Sequence, residues 1–446
     1  MSVQTKNSNE FNELIQLSFR DILKKESGKI RILVLGSGFG GMSFVKSLGK
    51  KVASSKINGT VETILVTRRA YHLFTPLLYQ VSSGLVNEYH ILDPIHNRDY
   101  NYKVIEAEIL DLDLPNNKVI TDVGEIEYDY LIIALGSVSN DFGIKGVNEY
   151  AISLKTPQDA VKIRNKILDS FEKANLLENR NPLRRALLTF VIVGGGATGV
   201  ELAGTIRDYV KMICKKYYNI EFNETKVILL EATNRLLPMA SEKLSKKCKE
   251  DLEKCGIKIM LNAKVLSVEK DGILLSNGER IETFNVFWTA GVKPNPIIEK
   301  LPEELVPKKK GKIIVKEDLR LIGFSNVFAI GDCAYIVDYK TNKIVPALAA
   351  SAVQEGKYLS KILIDEINGK KEHKPFTYKD LGLMLSLGRF SGLVEFPNGI
   401  IISGFFGWLI WRMVHLVKIS TMRNRIGVMF DWTMSLLKRR IITRSD

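Results

Sequence analysis

An α/β protein with two parallel-sheet domains is predicted by three features of this sequence. A β-branched run that ends in a glycine-rich turn and leads into a helical pattern occurs twice, and each time a second apolar run completes a βαβ unit. The chain has 446 residues, too many for one ordinary core. Its composition, 45% hydrophobic and 26% charged, is that of a folded globule rather than a disordered tract.

Residues 1–29 are polar and mixed in charge; they read as an N-terminal tail, without the apolar run of a secretory signal. Residues 31–35 (RILVL) form the first strand, which enters the turn Gly36-Ser37-Gly38-Phe39-Gly40-Gly41, a helix through Val45 and Leu48, and a strand over 62–67. Residues 128–136 add a further strand, and Thr156-Pro157 opens a long helix. The second unit repeats the grammar with a strand at 189–193, the turn 194–199 (GGGATG), a helix through Leu202, Ala203 and Ile206, and a strand over 226–231. Strands follow at 256–261, 272–275, 281–288 and 326–332. Crossings near 150 and 295 then give one domain from 30–150 and 295–380, a second from 151–294, and a C-terminal region over 381–446.

The glycine spacing carries chemistry. In a GxGxxG turn the first glycine permits the tight bend, the second lets the backbone approach a pyrophosphate, and the third lets helix pack closely on strand, with the phosphate at the positive helix end. Gly36, Gly38 and Gly41 fill these places in the first turn, Gly194, Gly196 and Gly199 in the second. One such turn is weak evidence, since strand-to-helix glycines also serve packing. Two, each in a βαβ frame, point to two dinucleotide sites. Glu231 closes the second unit's last strand, where a carboxylate accepts from a ribose diol and repels a 2′-phosphate, so NADH is favoured over NADPH. Its distance from the turn requires a long intervening helix. The counterpart in the first unit is Thr67, which carries no charge.

Four cysteines, Cys214, Cys248, Cys255 and Cys333, form no CxxC pair, so neither a metal site nor a local redox disulfide is expected, and a reducing cytosol suits them. Lys and Arg outnumber Asp and Glu by 64 to 50, a net charge of +14, which attracts anions without choosing among phosphate, acidic lipid and nucleic acid.

From Arg31 onward the sequence resembles the type II NADH:quinone dehydrogenases. The resemblance rests on residues 72–81 (HLFTPLLYQV), 133–136 (IALG), 194–204 (GGGATGVELAG), 288–291 (WTAG) and 328–333 (FAIGDC). It implies two Rossmann-like dinucleotide-binding domains, a flavin domain interrupted by an NADH domain, followed by C-terminal membrane-binding helices. It further implies that Gly36, Ser37, Gly38, Phe39, Gly40 and Gly41 hold the flavin nucleotide's phosphates. Pro76 and Leu77 would lie beside the flavin ring, Gly136, Ala349 and Asp332 would complete that site with Asp332 on the ribityl chain, and Gly194, Gly196, Ala197, Thr198, Gly199, Glu231 and Gly291 would hold NADH as substrate. Because the family has an acidic residue where Thr67 stands, FAD and FMN are both open as the cofactor.

Glu201 falls in the first turn after the second glycine motif. The resemblance makes it a catalytic carboxylate near the nicotinamide; the alternative is a charge that favours a helix N-terminus. The family's quinone helix matches residues 346–356 (PALAASAVQEG), with Gln354 at its second glutamine and Ala350 at its first; Gln80 joins these as a quinone candidate. A plain amphipathic helix is the alternative for this stretch.

Residues 399–411 are apolar for only thirteen positions, short of the roughly twenty that a span needs. Phe405, Phe406, Trp408, Trp411 and Trp432, interleaved with arginines, suit instead a helix pair lying in the membrane interface, rings in the acyl boundary and cations on acidic lipid. Residues 400–446 hold eight Lys and Arg (412, 418, 423, 425, 438, 439, 440 and 444) against two Asp, a local +6. A homodimer or domain-packing face is the alternative; no nucleic-acid motif accompanies the charge. The whole reads as a non-pumping NADH dehydrogenase, peripheral on the cytoplasmic side of the cell membrane, reducing a membrane quinone. Its rivals are a sulfide:quinone oxidoreductase, which needs cysteines at the flavin, a reductase of ferredoxin, and an NADH-sensing binding protein.

Overall fold

The computed structural model describes residues 23 and 25–437, except 56, 97–100, 219 and 371. The predicted tail up to residue 22 and the basic residues Lys438, Arg439, Arg440 and Arg444 lie outside the described residues. Two compact units divide the chain. The first takes in the chain up to His72, Pro94–Val138 and Lys293–Lys379; the second takes in Leu73–Asp93, Ser139–Val292 and the chain from Asp380.

In the first unit, β1 (Ile30–Leu35), α1 (Phe39–Ala53) and β2 (Val61–Thr67) form the predicted βαβ element. With β3 (Lys103–Glu106), β4 (Tyr130–Ile133) and the strand Val327–Ala329 they build a parallel sheet. Its order is Val327–Ala329, β4, β1, β2, β3. Parallel strands covered on both faces must be apolar throughout, and residues 32–35 of β1 have no exposed surface. The helix Ala349–Ile367 lies so close to α1 that a Cβ on Gly356 would fall 2.5 Å from the Gly40 carbonyl oxygen.

The second unit repeats the design with β5 (Ala151–Ser153), α2 (Pro157–Asn175), β6 (Thr189–Val193), α3 (Ala197–Tyr217), β7 (Lys226–Leu230), β8 (Lys258–Met260) and β9 (Asn285–Trp288). The strands are parallel in the order β5, β9, β6, β7, β8. Thr156 caps α2 through a capping box with Asp159, and Pro157 starts the helix where its missing N–H costs nothing. The 21 residues of α3 supply the long helix that the distance to Glu231 demands.

One predicted strand, over 281–288, is two. Arg280–Glu282 joins an antiparallel sheet and β9 the parallel one. Between them the buried Thr283 hydroxyl donates to the Thr189 carbonyl at 2.6 Å and accepts from the Asn285 N–H at 2.9 Å, turning the chain from one sheet to the other.

The C-terminal region comprises the antiparallel strands β10 (Leu383–Ser386), β11 (Gly392–Glu395) and β12 (Ile401–Ser403), then α4 (Gly404–Lys418) and α5 (Met422–Leu436). It packs within the second unit, as does Leu73–Asp93, which the sequence reading placed with the first domain. Hydrogen bonds account for that segment's place: Asp93 Oδ1 accepts from Thr421 Oγ1 at 2.9 Å and Asn424 Nδ2 at 2.7 Å, and Asp431 accepts the Asn87 N–H at 2.9 Å.

The helix pair corrects the expectation for its aromatics. Trp408, Trp411 and Trp432 are buried rather than presented outward. The Arg412 guanidinium lies over the Trp408 ring at 4.0 Å and the Trp432 ring at 4.6 Å, so the cation is spent on the indoles. The outward apolar residues include Phe405, Phe406, Met413 and Val417 on α4 and Met422, Ile426, Met429 and Phe430 on α5. Among the described residues no helix is long and apolar enough to cross a membrane.

Candidate functional site

Both glycine turns take the same form. Gly36 and Gly194 have φ of +103° and +111°, conformations that L side chains rarely adopt. A Cβ on Gly41 would sit 2.0 Å from the Gly36 carbonyl oxygen, and one on Gly199 1.8 Å from that of Gly194. Those four glycines are explained by the turn itself. Gly38 and Gly196 are not: their φ values are −69° and −74°, and a Cβ on either would meet nothing within 4 Å. Open space at a helix N-cap, kept clear where the protein has no internal need, is what close approach of a phosphate requires. The residues present therefore fit a nucleotide in each turn.

In the first unit Ser37 Oγ lies 2.9 Å from Thr67 Oγ1 and donates to the Tyr71 carbonyl at 3.2 Å. The Ser37 carbonyl is 2.8 Å from His72 Nδ1, and Phe39 meets the His72 ring edge-on. Asp332 Oδ2 accepts from Ser137 Oγ at 2.6 Å, beside Gly136, whose φ is +65°. Sequence reasoning missed Glu355. It is buried on the Ala349–Ile367 helix, accepts the Gly331 N–H at 2.6 Å and so fixes the loop that carries Asp332; burial pushes its carboxyl up to about 7. Gln354 and the backbone of Lys379 exchange two hydrogen bonds, at 3.0 and 2.9 Å. Ala349 and Ala350 open that helix. Pro76 and Leu77 form a short 3₁₀ turn of the second unit.

In the second unit Glu231 is 9% exposed at the end of β7. Its Oε2 accepts the Gly195 N–H at 2.6 Å, and Oε1 accepts the N–H and hydroxyl of Thr233, each at 2.8 Å. A carboxylate thus stands fixed beside the turn. Thr289, two residues before Gly291, donates its hydroxyl to the Val193 and Gly194 carbonyls, and Phe142 covers Gly291 closely enough that a Cβ there would fall 2.4 Å from its ring. Ala197 and Thr198 begin α3.

Glu201, one turn into α3, is buried, which pushes its carboxyl up to about 8. Opposing that rise are the Ser386 N–H, 3.0 Å from Oε1, the Tyr79 hydroxyl and the Trp411 indole. Among the described residues no cation acts on it. The Trp411 N–H is buried and completes no hydrogen bond of good geometry, and its ring stacks on His415 at 4.0 Å. Burial brings the His415 imidazole down to about 4, so it is neutral. Gln80, 2% exposed, accepts from Trp432 Nε1 at 2.8 Å and donates to the Tyr79 oxygen at 3.1 Å. The structure therefore brings Glu201 and Gln80 together through Tyr79. The sequence reading did not place Tyr79, Trp411, His415 and Ser386 at Glu201; Tyr79 sits one residue from Gln80, but only long-range packing sets it against Glu201. Such a carboxyl, protonated near neutral pH and flanked by a phenol, can store and return a proton.

Comparison with known proteins agrees with this geometry. Residues 30–356 match the pyridine nucleotide-disulphide oxidoreductase family and residues 381–441 the NDH2 C-terminal domain. A probable NADH dehydrogenase of Dictyostelium discoideum is 35% identical, over 95% of this chain and 94% of its own length. The chain belongs to the type II NADH:quinone oxidoreductase family. Its likeness extends to the enzyme Ndh of Mycobacterium tuberculosis, 33% identical over 92% of this chain and 89% of the relative. The structure of NDH2 from Plasmodium falciparum, solved with NADH, superposes with a TM-score of 0.84 at 25% identity, over 93% of this chain and all of the other.

Proposed function

We propose that this chain oxidises NADH through a bound flavin and delivers two electrons to a membrane quinone, without pumping ions. The observation that carries the reading is the pair of glycines, Gly38 and Gly196, that the protein itself does not need, one turn paired with the neutral Thr67 and the other with Glu231. Support comes from relatives named as NADH dehydrogenase and type II NADH:quinone oxidoreductase that align along nearly the full chain.

Gly194–Gly199 and Glu231 would hold NADH, the carboxylate accepting from the ribose diol and disfavouring a 2′-phosphate. Gly36–Gly41, Gly136 and Asp332 would hold the flavin. When bound, the flavin, FAD or FMN, supplies the hydride-accepting chemistry, and the protein supplies placement. Glu201 would hold the proton that accompanies electron transfer. Gln354, Ala350 and Gln80 are the quinone candidates. The bonds to Lys379 and Tyr79 use one N–H of each glutamine amide, which has two.

The outward faces of α4 and α5, with Lys418 and Arg423 exposed beside them, would lie on an acidic lipid surface at the cytoplasmic side of the membrane. Anaerobic stopped-flow mixing with NADH, followed by a short-chain quinone, tests the reading. Bleaching of the flavin and rapid reoxidation are expected. Bleaching without reoxidation would move the acceptor to ferredoxin or another partner, and no bleaching would overturn the proposal.

A further inference from the structure

The indole N–H of Trp432 can only donate, and this fixes groups well beyond it. Trp432 Nε1 lies 2.8 Å from Gln80 Oε1, both side chains being buried. Reversing the amide would set two donors against each other and leave the buried indole N–H without its acceptor. With its oxygen on the indole, the Gln80 amide must turn its nitrogen to Tyr79, to whose oxygen it donates at 3.1 Å. The Tyr79 oxygen is then an acceptor on that side, and its single proton is left for another partner. Beside it lie the Ser386 hydroxyl and the Glu201 carboxyl; the hydroxyl has a proton of its own to give, so the carboxyl is the acceptor left for the phenol proton.

The short helix Leu78–Val81 holds this relay rigidly. Ser82 Oγ donates to the Tyr79 carbonyl at 2.6 Å and Ser83 Oγ to the Gln80 carbonyl at 3.1 Å. On the far side the Ser386 N–H holds Glu201 Oε1. Among the described residues, the other groups near the carboxyl are the Ser386 hydroxyl, Trp411 with the neutral His415 stacked on it, and Cys248 on the helix Glu242–Lys254. Arg412 is engaged by the rings of Trp408 and Trp432.

We propose that Trp432, on the C-terminal helix α5, sets the facing of the Gln80 amide and so aims the Tyr79 O–H at Glu201. Trp432, Gln80 and Tyr79 are on this view positioning residues for the NADH-turn carboxyl, and seating of α5 governs how readily that carboxyl holds a proton. The inference rests on the proposed role of Glu201 in NADH oxidation, but its first test does not need turnover.

Infrared titration of the full, flavin-loaded protein follows the C=O stretch of a protonated carboxyl, assigned to Glu201 by its loss in E201Q. Both Y79F and W432F should raise the titration midpoint, Y79F by about one pH unit, tenfold in proton affinity, and W432F by no more than that. The double variant should match Y79F alone, since both substitutions cut one chain. The pH profile of NADH-driven flavin bleaching should move with the midpoint.

A W432F midpoint equal to wild type, or a double variant shifted by the sum of the two, would overturn the relay. Should W432F fail to fold, Q80L cuts the chain at its middle and must give the same shift. A wild-type protein whose flavin NADH does not bleach would sink the proposed function instead, while leaving the infrared result to judge the relay.

Discussion

The two glycine turns share one geometry and serve different ends. Each begins with a left-handed glycine, keeps an open second glycine, and closes with a third against the first one's carbonyl oxygen. They differ seven residues after the first glycine, where α1 carries Ser43 and α3 carries Glu201. Ser43 Oγ donates to the Val353 carbonyl at 2.8 Å and ties two helices together. Glu201 sits buried, with no cation acting on it among the described residues. They differ again at the strand end, where Thr67 pairs with Ser37 and Glu231 receives three hydrogen bonds. On the proposed function, the turn backbone would make a phosphate site, and the side chains around it would choose the nucleotide and add the chemistry.

The strongest way to break this comparison is to add a methyl group inside each turn. G41A and G199A force a Cβ to within 2.0 and 1.8 Å of a backbone oxygen, which cannot move aside. G41A should purify without flavin, while G199A should keep flavin and lose NADH bleaching. G38A and G196A meet no protein atom, so each should unfold within about 1 kcal/mol of wild type yet lose at least about tenfold in affinity for its own nucleotide. Calorimetry and flavin absorbance read both effects; unchanged nucleotide affinity in these two would remove the phosphate from the open space.

Next in size is the buried charge. Glu201 has its folded pKa raised to about 8 from 4.5, so the folded state binds the proton more tightly and stability falls as pH rises between those values. E201Q should therefore be more stable than wild type by roughly 2–4 kcal/mol above pH of about 8 and no more stable below about 5. Denaturant unfolding at the two pH values checks this, and a gap that ignores pH would place the carboxyl in water. E201Q should also slow flavin reduction with NADH binding mostly kept.

Exchange of the strand-end residues gives smaller effects. E231T should raise the NADPH-to-NADH ratio of kcat/KM by about ten- to a hundredfold as the repelling carboxylate goes. T67E should retain FAD about three- to tenfold more tightly, its carboxylate accepting the Ser37 N–H as Glu231 accepts that of Gly195. Dilution assays of flavin release give the second number, and no gain there would mean that Thr67 already suffices.

Much of this was legible in the chain. The βαβ frames, the six turn glycines and Glu231 follow from local pattern, because strand alternation, turn strain and helix starts are decided within a few residues. The spacing assigned Gly38 and Gly196 to the approach of a phosphate, but the empty space at each was visible only in the fold, since glycine is written the same whether a turn, a neighbour or a ligand demands it. The tryptophans misled for a related reason: an aromatic, basic tail announces an amphipathic pair but not which face the rings take. Arg412 sandwiched between Trp408 and Trp432 settled that.

The sequence by itself determined two glycine turns on parallel sheets, the charge that distinguishes them, and a C-terminal helix pair too short to span a bilayer. Tertiary structure alone decided that residues 73–93 and the last helices pack in the unit of the second turn, bringing Tyr79, Gln80, Trp411 and Trp432 around Glu201. These residues lie more than a hundred positions from Glu201 along the chain. Nothing local encodes such a meeting. It arises because burying the indoles and the apolar helix faces drives the segments together, and the carboxyl's proton affinity follows from the water that this packing removes.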